Sequence, residues 1–239
     1  MTITTRTIEY QHNGVLLEAV LAWDDTALDP RPAVMVSHAW AGRDEFAVNK
    51  ASALAGLGYV GFAVDMYGKG VIGSGPEENA KLMTPFMEDR ALLQGRMQAA
   101  LDTVRQQKEV DAGRVAAIGF CFGGLCVLDL ARSGATLNGV VSFHGLFTPP
   151  GNLSGQKITA KVLVLHGYDD PMVTPAQTVA LADELTEAGA DWQIHAYGGT
   201  VHAFTNPNAN DPGFGTVYQP AADRRSWQSL GNFLEEVLK

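Results

Sequence analysis

Val115-Ala116-Ala117-Ile118-Gly119-Phe120-Cys121-Phe122-Gly123-Gly124 sets the frame for the whole chain. An apolar strand over Arg114 to Ile118 runs through a glycine-flanked cysteine into a helix expected over Phe122 to Arg132. In such a turn the central residue adopts a strained backbone, and glycines two before and two after it remove side chains that would collide with the neighbouring strand and helix. Gly119 and Gly123 occupy those places. The helix starting at Phe122 directs unpaired N–H groups and its positive end toward Cys121, which favours a thiolate and offers a donor to a developing oxyanion. The competing reading is a buried structural cysteine beside a glycine turn.

Working outward, short β-branched runs alternate with helical stretches. Strands are expected at Gly14 to Trp23, Ala33 to Ser37, Tyr59 to Val64, Gly139 to Phe143, Lys161 to Leu165 and Trp192 to Tyr197. Helices are expected at Asp44 to Leu57, Pro76 to Gln107 with a break near Pro85, Pro175 to Ala188, and Pro220 to Leu238. The class is α/β, with a mostly parallel central sheet flanked by helices, in a single domain spanning 1–239. Thr205 to Gln219, rich in Asn, Pro and Gly, is expected to be a long loop at the wall of a site.

Composition narrows the partners. The 239 residues carry a net charge of -9 and no run of Lys or Arg, so nucleic acid is not an expected partner. No stretch is long and apolar enough to span a bilayer, and the first ten residues lack a secretory pattern, so no membrane partner and a cytoplasmic location are expected. Cys121 and Cys126, the two cysteines, lie five apart on one helix and are not placed to bond to each other. The histidines show no close pairing, and no metal site is expected. The chain is expected to be a monomer or small homo-oligomer.

Two further stretches complete a constellation. Lys161-Val162-Leu163-Val164-Leu165-His166-Gly167-Tyr168-Asp169-Asp170-Pro171 runs from a strand into two adjacent carboxylates, and His202 follows the strand Trp192 to Tyr197. The order is nucleophile, acid, histidine, as in α/β-hydrolases. One carboxylate would fix the imidazole tautomer, leaving the other nitrogen to take the thiol proton; spacing alone does not choose between Asp169 and Asp170. The segment Ser37-His38-Ala39-Trp40 follows the strand whose loop supplies a second oxyanion donor in that architecture, and the N–H is assigned to Trp40 alongside that of Phe122. His144 and His166, at strand ends, read as satisfied structural histidines, and His12 and His195 as outward-facing. Trp40, Tyr67, Phe122 and Phe204, with Met83 and Phe86, are candidates for an apolar site mouth, against a reading as core. Arg43 and Lys69 read as solvated surface.

On these residues the chain resembles the dienelactone hydrolases, or carboxymethylenebutenolidases, along nearly its full length. The resemblance rests on Gly119 to Gly124, Asp65-Met66-Tyr67-Gly68, the His166-Gly167 turn leading to Asp170, and His202-Ala203-Phe204. It implies the α/β-hydrolase fold, a Cys121, Asp170, His202 triad, and hydrolysis of a small-molecule ester or lactone through an acyl-cysteine without cofactor. It also chooses Asp170 over Asp169. Two positions depart from the family pattern. Ala39 stands where family members have a glutamate that contacts the cysteine, and the arginine pair that holds a substrate carboxylate is replaced by Asn206 and, by alignment, Lys81. With Tyr67 and Phe204 these two are the candidate substrate-contacting residues, and the substrate implied is a neutral or differently shaped ester or lactone. Two other classes compete. Glutamine amidotransferases share the cysteine turn but place an acid two residues after the histidine, where this chain has Phe204; a non-catalytic small-molecule receptor would need the three groups misaligned.

Overall fold

A computed structural model describes residues 2–153 and 155–239. It divides into two compact units, Met1–Ile118 and Gly119–Lys239. The first contains β1 (Ile3–His12), β2 (Val15–Asp24), β3 (Arg31–Ser37), α1 (Glu45–Gly56), β4 (Val60–Ala63), α2 (Pro76–Glu88) and α3 (Arg90–Arg105). It ends in β5 (Val110–Phe120), whose last two residues open the second unit. The second continues with α4 (Phe122–Arg132), β6 (Gly139–Phe143), β7 (Lys161–Gly167), α5 (Pro175–Glu187), β8 (Trp192–Tyr197), the two-residue strands β9 (Asn210–Asp211) and β10 (Thr216–Val217), and α6 (Pro220–Leu238).

Strand order in the first unit is β1-β2-β4-β3-β5. β3 and β4 pair in parallel, so the chain must cross over between them, and α1 makes that crossover while packing on both. Their residues Val34, Met35, Val36 and Phe62 are fully buried, as expected of strands covered on both faces. In the second unit β6, β7 and β8 are neighbours and all parallel, with α4 against β6, α6 against β6 and β7, and α5 against β8. Among the described residues no helix is long and apolar enough to cross a membrane.

Three expectations are corrected. β1 was not foreseen: it pairs antiparallel with β2 through the tight Asn13-Gly14 turn, whose φ angles of 50° and 76° suit a two-residue hairpin. β2 also runs antiparallel to β4, so the sheet is more mixed than the helix-strand alternation implied. The long helix breaks at Asp89 rather than at Pro85, which sits inside α2. Asp89, extended at φ -115° and ψ 90°, closes α2 and caps α3 by accepting the Leu92 N–H at 2.9 Å.

Gly119 is fixed by close approach. A Cβ built there would lie 2.0 Å from the Gly123 carbonyl oxygen and 2.2 Å from its carbon. Backbone cannot swing aside as a side chain can, so the end of β5 and the first turn of α4 would have to part. Gly119→Ala is expected to destabilise the protein by about 1–3 kcal/mol or more, as overpacking does, seen as a lower urea midpoint at unchanged slope. An unchanged midpoint would show that the turn opens freely.

Candidate active site

Cys121 links β5 to α4 with φ 56° and ψ -116°, a left-handed conformation unusual for a residue bearing a side chain. Backbone bonds hold it there: its N–H donates to the Phe143 carbonyl at the end of β6 (3.0 Å), and its carbonyl accepts the Gly124 N–H (2.9 Å) and the Leu125 N–H (3.4 Å). Such a conformation costs on the order of 1–3 kcal/mol and persists only where surroundings over-determine it. Cys121 is partly exposed, whereas Cys126, further along α4, is fully buried. Phe122, the first residue of α4, is also fully buried.

The turn after β7 carries the two carboxylates in different directions. Asp170 is 2% exposed, with Oδ1 accepting the Met172 N–H at 2.8 Å and Oδ2 lying 2.7 Å from His202 Nδ1. An ionised carboxylate only accepts, so Nδ1 bears the proton and Nε2 is left as the imidazole's reactive nitrogen. Asp169 is exposed, and its Oδ2 accepts the Gly199 N–H at 2.6 Å while its own N–H donates to the Thr200 carbonyl at 3.0 Å. It is therefore a clamp on the loop leading to His202.

His202 is 2% exposed. Burial by itself pulls its pKa down, but the negative charge of the Cys121 sulfur, reinforced by the Asp170 hydrogen bond, outweighs burial and pushes the pKa up to about 10. The Cys121 side chain acts on the imidazole both through its charge and through a hydrogen bond. The site can therefore hold an imidazolium beside a thiolate. The folded state binds this proton more tightly than the unfolded chain, so the resulting stabilisation is complete below pH 6.5 and is lost as pH rises through about 10.

His144, at φ 36°, presents its ring edge-on to His202 at 5.2 Å and to Phe204 at 5.1 Å, and its Nε2 lies 2.8 Å from Thr205 Oγ1. His144 was expected at a strand end as a structural histidine, and its bond to Thr205, a residue the sequence reading did not single out, fits that role. His166 is fully buried and interacts with the Val173 backbone, and burial pushes its imidazole toward the neutral form. Phe204 is also fully buried, with its ring against His144 and Tyr197, so it backs the histidine and does not line a mouth. Asn206 is engaged locally: its Oδ1 accepts the Asn208 N–H at 3.0 Å.

In the first unit Trp40 and Tyr67 are brought together, the Tyr67 hydroxyl donating to the Trp40 carbonyl at 2.9 Å. Buried Asp65 fixes that tyrosine by accepting the N–H groups of Tyr67 and Gly68, both at 2.9 Å. His38 ties the same two segments, with Nε2 accepting the Met66 N–H at 3.2 Å and Nδ1 donating to the Ala39 carbonyl at 2.6 Å. Lys81 is an exposed residue of α2 paired with Glu77 at 2.8 Å, a solvated ion pair. Phe86 is buried beside Tyr67, and Arg43 pairs with Glu18 at 2.9 Å. Among the described residues no cluster of three or more His, Cys, Asp or Glu side chains could hold a metal ion.

Comparison with known proteins shows the family of the chain. The model of the family described as "Dienelactone hydrolase family" matches residues 17–238. A protein of Aquifex aeolicus named "Putative carboxymethylenebutenolidase" is 28% identical over 97% of this chain and 98% of its own length. The solved structure m3DLH is 38% identical, covers 99% of both chains and superposes with a TM-score of 0.95. A dienelactone hydrolase-like promiscuous phosphotriesterase, P91, from metagenomic libraries is 37% identical with a TM-score of 0.93, again over 99% of both chains. A dienelactone hydrolase of Anabaena variabilis, at 18% identity and a TM-score of 0.71, shares the α/β fold.

The two aspartates are separable by titration. Asp170→Asn removes one of the two groups that hold the His202 proton, so the imidazole titration followed by NMR should move well below about 10. Asp169→Asn should leave it in place. An equal shift in both variants would mean that the 2.7 Å contact does not set the imidazole's charge.

Proposed function

The chain belongs to the dienelactone hydrolase family, and on that premise we propose that it hydrolyses small carboxylic esters or lactones through an acyl-cysteine. Cys121 is the nucleophile, His202 the general base and acid, and Asp170 the group that fixes the imidazole. One observation carries this assignment: His202 bonds Asp170 at 2.7 Å through Nδ1 while the charge of Cys121 raises its pKa from the other side. A receptor with the same fold has no need of that electrostatic coupling, and Phe204 stands where an amidotransferase would have its acid.

The thiolate attacks the substrate carbonyl, forming a C–S bond and placing the carbonyl electron pair on oxygen. The backbone N–H of Phe122, at the start of α4, and that of Trp40 are the assigned donors to this oxyanion. Support for Trp40 comes from its position after β3 and from the Tyr67 and His38 bonds that hold its loop. The intermediate collapses as the C–O bond breaks and His202 gives its proton to the departing alkoxide. Water, deprotonated by His202, then cleaves the thioester and returns the free cysteine. This sequence calls on no metal or organic cofactor. The family model runs through both units, which supports reading them as one hydrolase domain, and two free thiols suit a reducing cytoplasm.

Substrate charge follows from Asn206 and Lys81. With Asn206 turned to its own backbone and Lys81 paired to Glu77, neither supplies the bidentate cation that would select a carboxylate. A lost charge-assisted hydrogen bond is worth about 1.5–3 kcal/mol, so neutral lactones should compete well with an anionic dienelactone. The likeness to P91 favours a second activity of the same thiolate. Attack on phosphorus of a neutral triester would form an S–P bond and expel the aryloxide, with water releasing the diester.

The test is a panel of p-nitrophenyl acetate, a neutral lactone, a dienelactone and a p-nitrophenyl dialkyl phosphate. Cys121→Ala should lower turnover of every accepted substrate by about four orders of magnitude or more, and Cys126→Ala should keep most of it. Near-normal turnover without Cys121 would end the assignment. A strong preference for the dienelactone over the matched neutral lactone would end the charge argument alone.

A further inference from the structure

The stretch expected to be a plain loop between Thr205 and Gln219 contains a small ribbon that grips His202. β9 and β10 pair antiparallel, Asp211 opposite Thr216 and Asn210 opposite Val217. His202 lies beside this ribbon in a parallel bridge with Thr216. Its N–H donates to the Gly215 carbonyl at 3.0 Å, and its carbonyl accepts the Val217 N–H at 3.2 Å. Both backbone groups of the histidine are thus taken by the ribbon, which fixes the origin of its side chain.

The same ribbon seats on the acid. Gly215 has φ 78°, and a Cβ built on it would fall 2.2 Å from Pro171 Cγ and 2.9 Å from Cδ. Pro171 directly follows Asp170, and its ring cannot rotate away because its φ is locked by that ring. Gly215 therefore meets the acid's neighbour on one side and hydrogen-bonds the histidine through its carbonyl on the other. Gly213 in the same turn differs: a Cβ on it would come no closer than 3.4 Å to Asp211 Oδ1, ordinary contact.

We propose that Gly215 is a positioning residue, the spacer that sets the separation of Asp170 Oδ2 from His202 Nδ1 by bearing on Pro171 while holding the histidine backbone. The proposal rests on the assignment of Cys121, His202 and Asp170 as the catalytic groups. Its physical basis is that a hydrogen bond of 2.7 Å tolerates little displacement, and an added methyl group here can be accommodated only by moving one loop away from the other.

The experiment is a double-variant cycle. Gly215→Ala, Pro171→Ala, the pair together, and Gly213→Ala as control are assayed for kcat and KM on p-nitrophenyl acetate, and the Nδ1 proton of His202 is followed by NMR. Gly215→Ala should lower kcat by about tenfold to a hundredfold with little change in KM, and move the Nδ1 proton upfield as its bond to Asp170 lengthens. Gly213→Ala should stay close to the parent, while Pro171→Ala, which removes the ring that Gly215 bears on, should lose kcat more mildly than Gly215→Ala. The double variant should recover most of kcat and the proton shift, because the obstructing ring is gone. Recovery of folding in the double variant, should Gly215→Ala alone not fold, supports the same contact. A folded Gly215→Ala with unchanged kcat and proton shift overturns the proposal. So does a double variant as impaired as the single one, since the damage would then come from the positive φ and not from Pro171. Should the parent show no Cys121-dependent turnover, the catalytic assignment fails, while the proton shift still reports whether Gly215 spaces the pair.

Discussion

The buried hydrogen bond between Asp170 and His202 is the interaction on which the rest of the site depends. Both groups are 2% exposed, where an unpaired charge would be costly, and each makes the other tolerable: the carboxylate accepts from Nδ1, and the imidazole retains its proton. That orientation leaves Nε2 toward Cys121. Much of the surrounding chain serves this geometry. Met172 holds the second carboxylate oxygen, Asp169 clamps the histidine loop at Gly199, and the β9–β10 ribbon takes both backbone groups of His202.

Cys121 meets this pair under a different constraint, that of backbone strain. A positive φ at a cysteine is held by the Phe143 carbonyl on one side and the first turn of α4 on the other, with Gly119 allowing the strand and helix to touch. Cys121 is partly exposed at a helix N-terminus, where a thiolate is favoured by the oriented N–H groups. Backbone stability is given up at this turn.

The parts legible in the sequence were those with a steric reason behind them. The turn around Cys121 could be read because only glycine tolerates the approach at 119, and the parallel strands because buried strands are apolar on both faces. The choice between Asp169 and Asp170 was not legible in spacing: adjacent residues of a turn point in opposite directions, and which one faces inward depends on the bond from Asp170 N–H to the Gly167 carbonyl. β1 escaped notice because its alternation is half polar, although Asn13-Gly14 was a usable hairpin signal. β9 and β10 are two residues each, too short for any periodicity, and exist through their bonds to each other and to His202. Phe204 misled because an aromatic beside a histidine looks the same in sequence whether it lines a pocket or backs the ring.

The central claim is that Cys121 is acylated during turnover. Rapid mixing of the protein with p-nitrophenyl acetate in excess, followed by acid quench and peptide mass spectrometry, measures it directly. The account predicts a burst of p-nitrophenol approaching one equivalent and an acetyl group on the peptide containing Cys121, absent from Cys121→Ala. Acetyl on another side chain with the same kinetics, or steady release with full activity in Cys121→Ala, would contradict it.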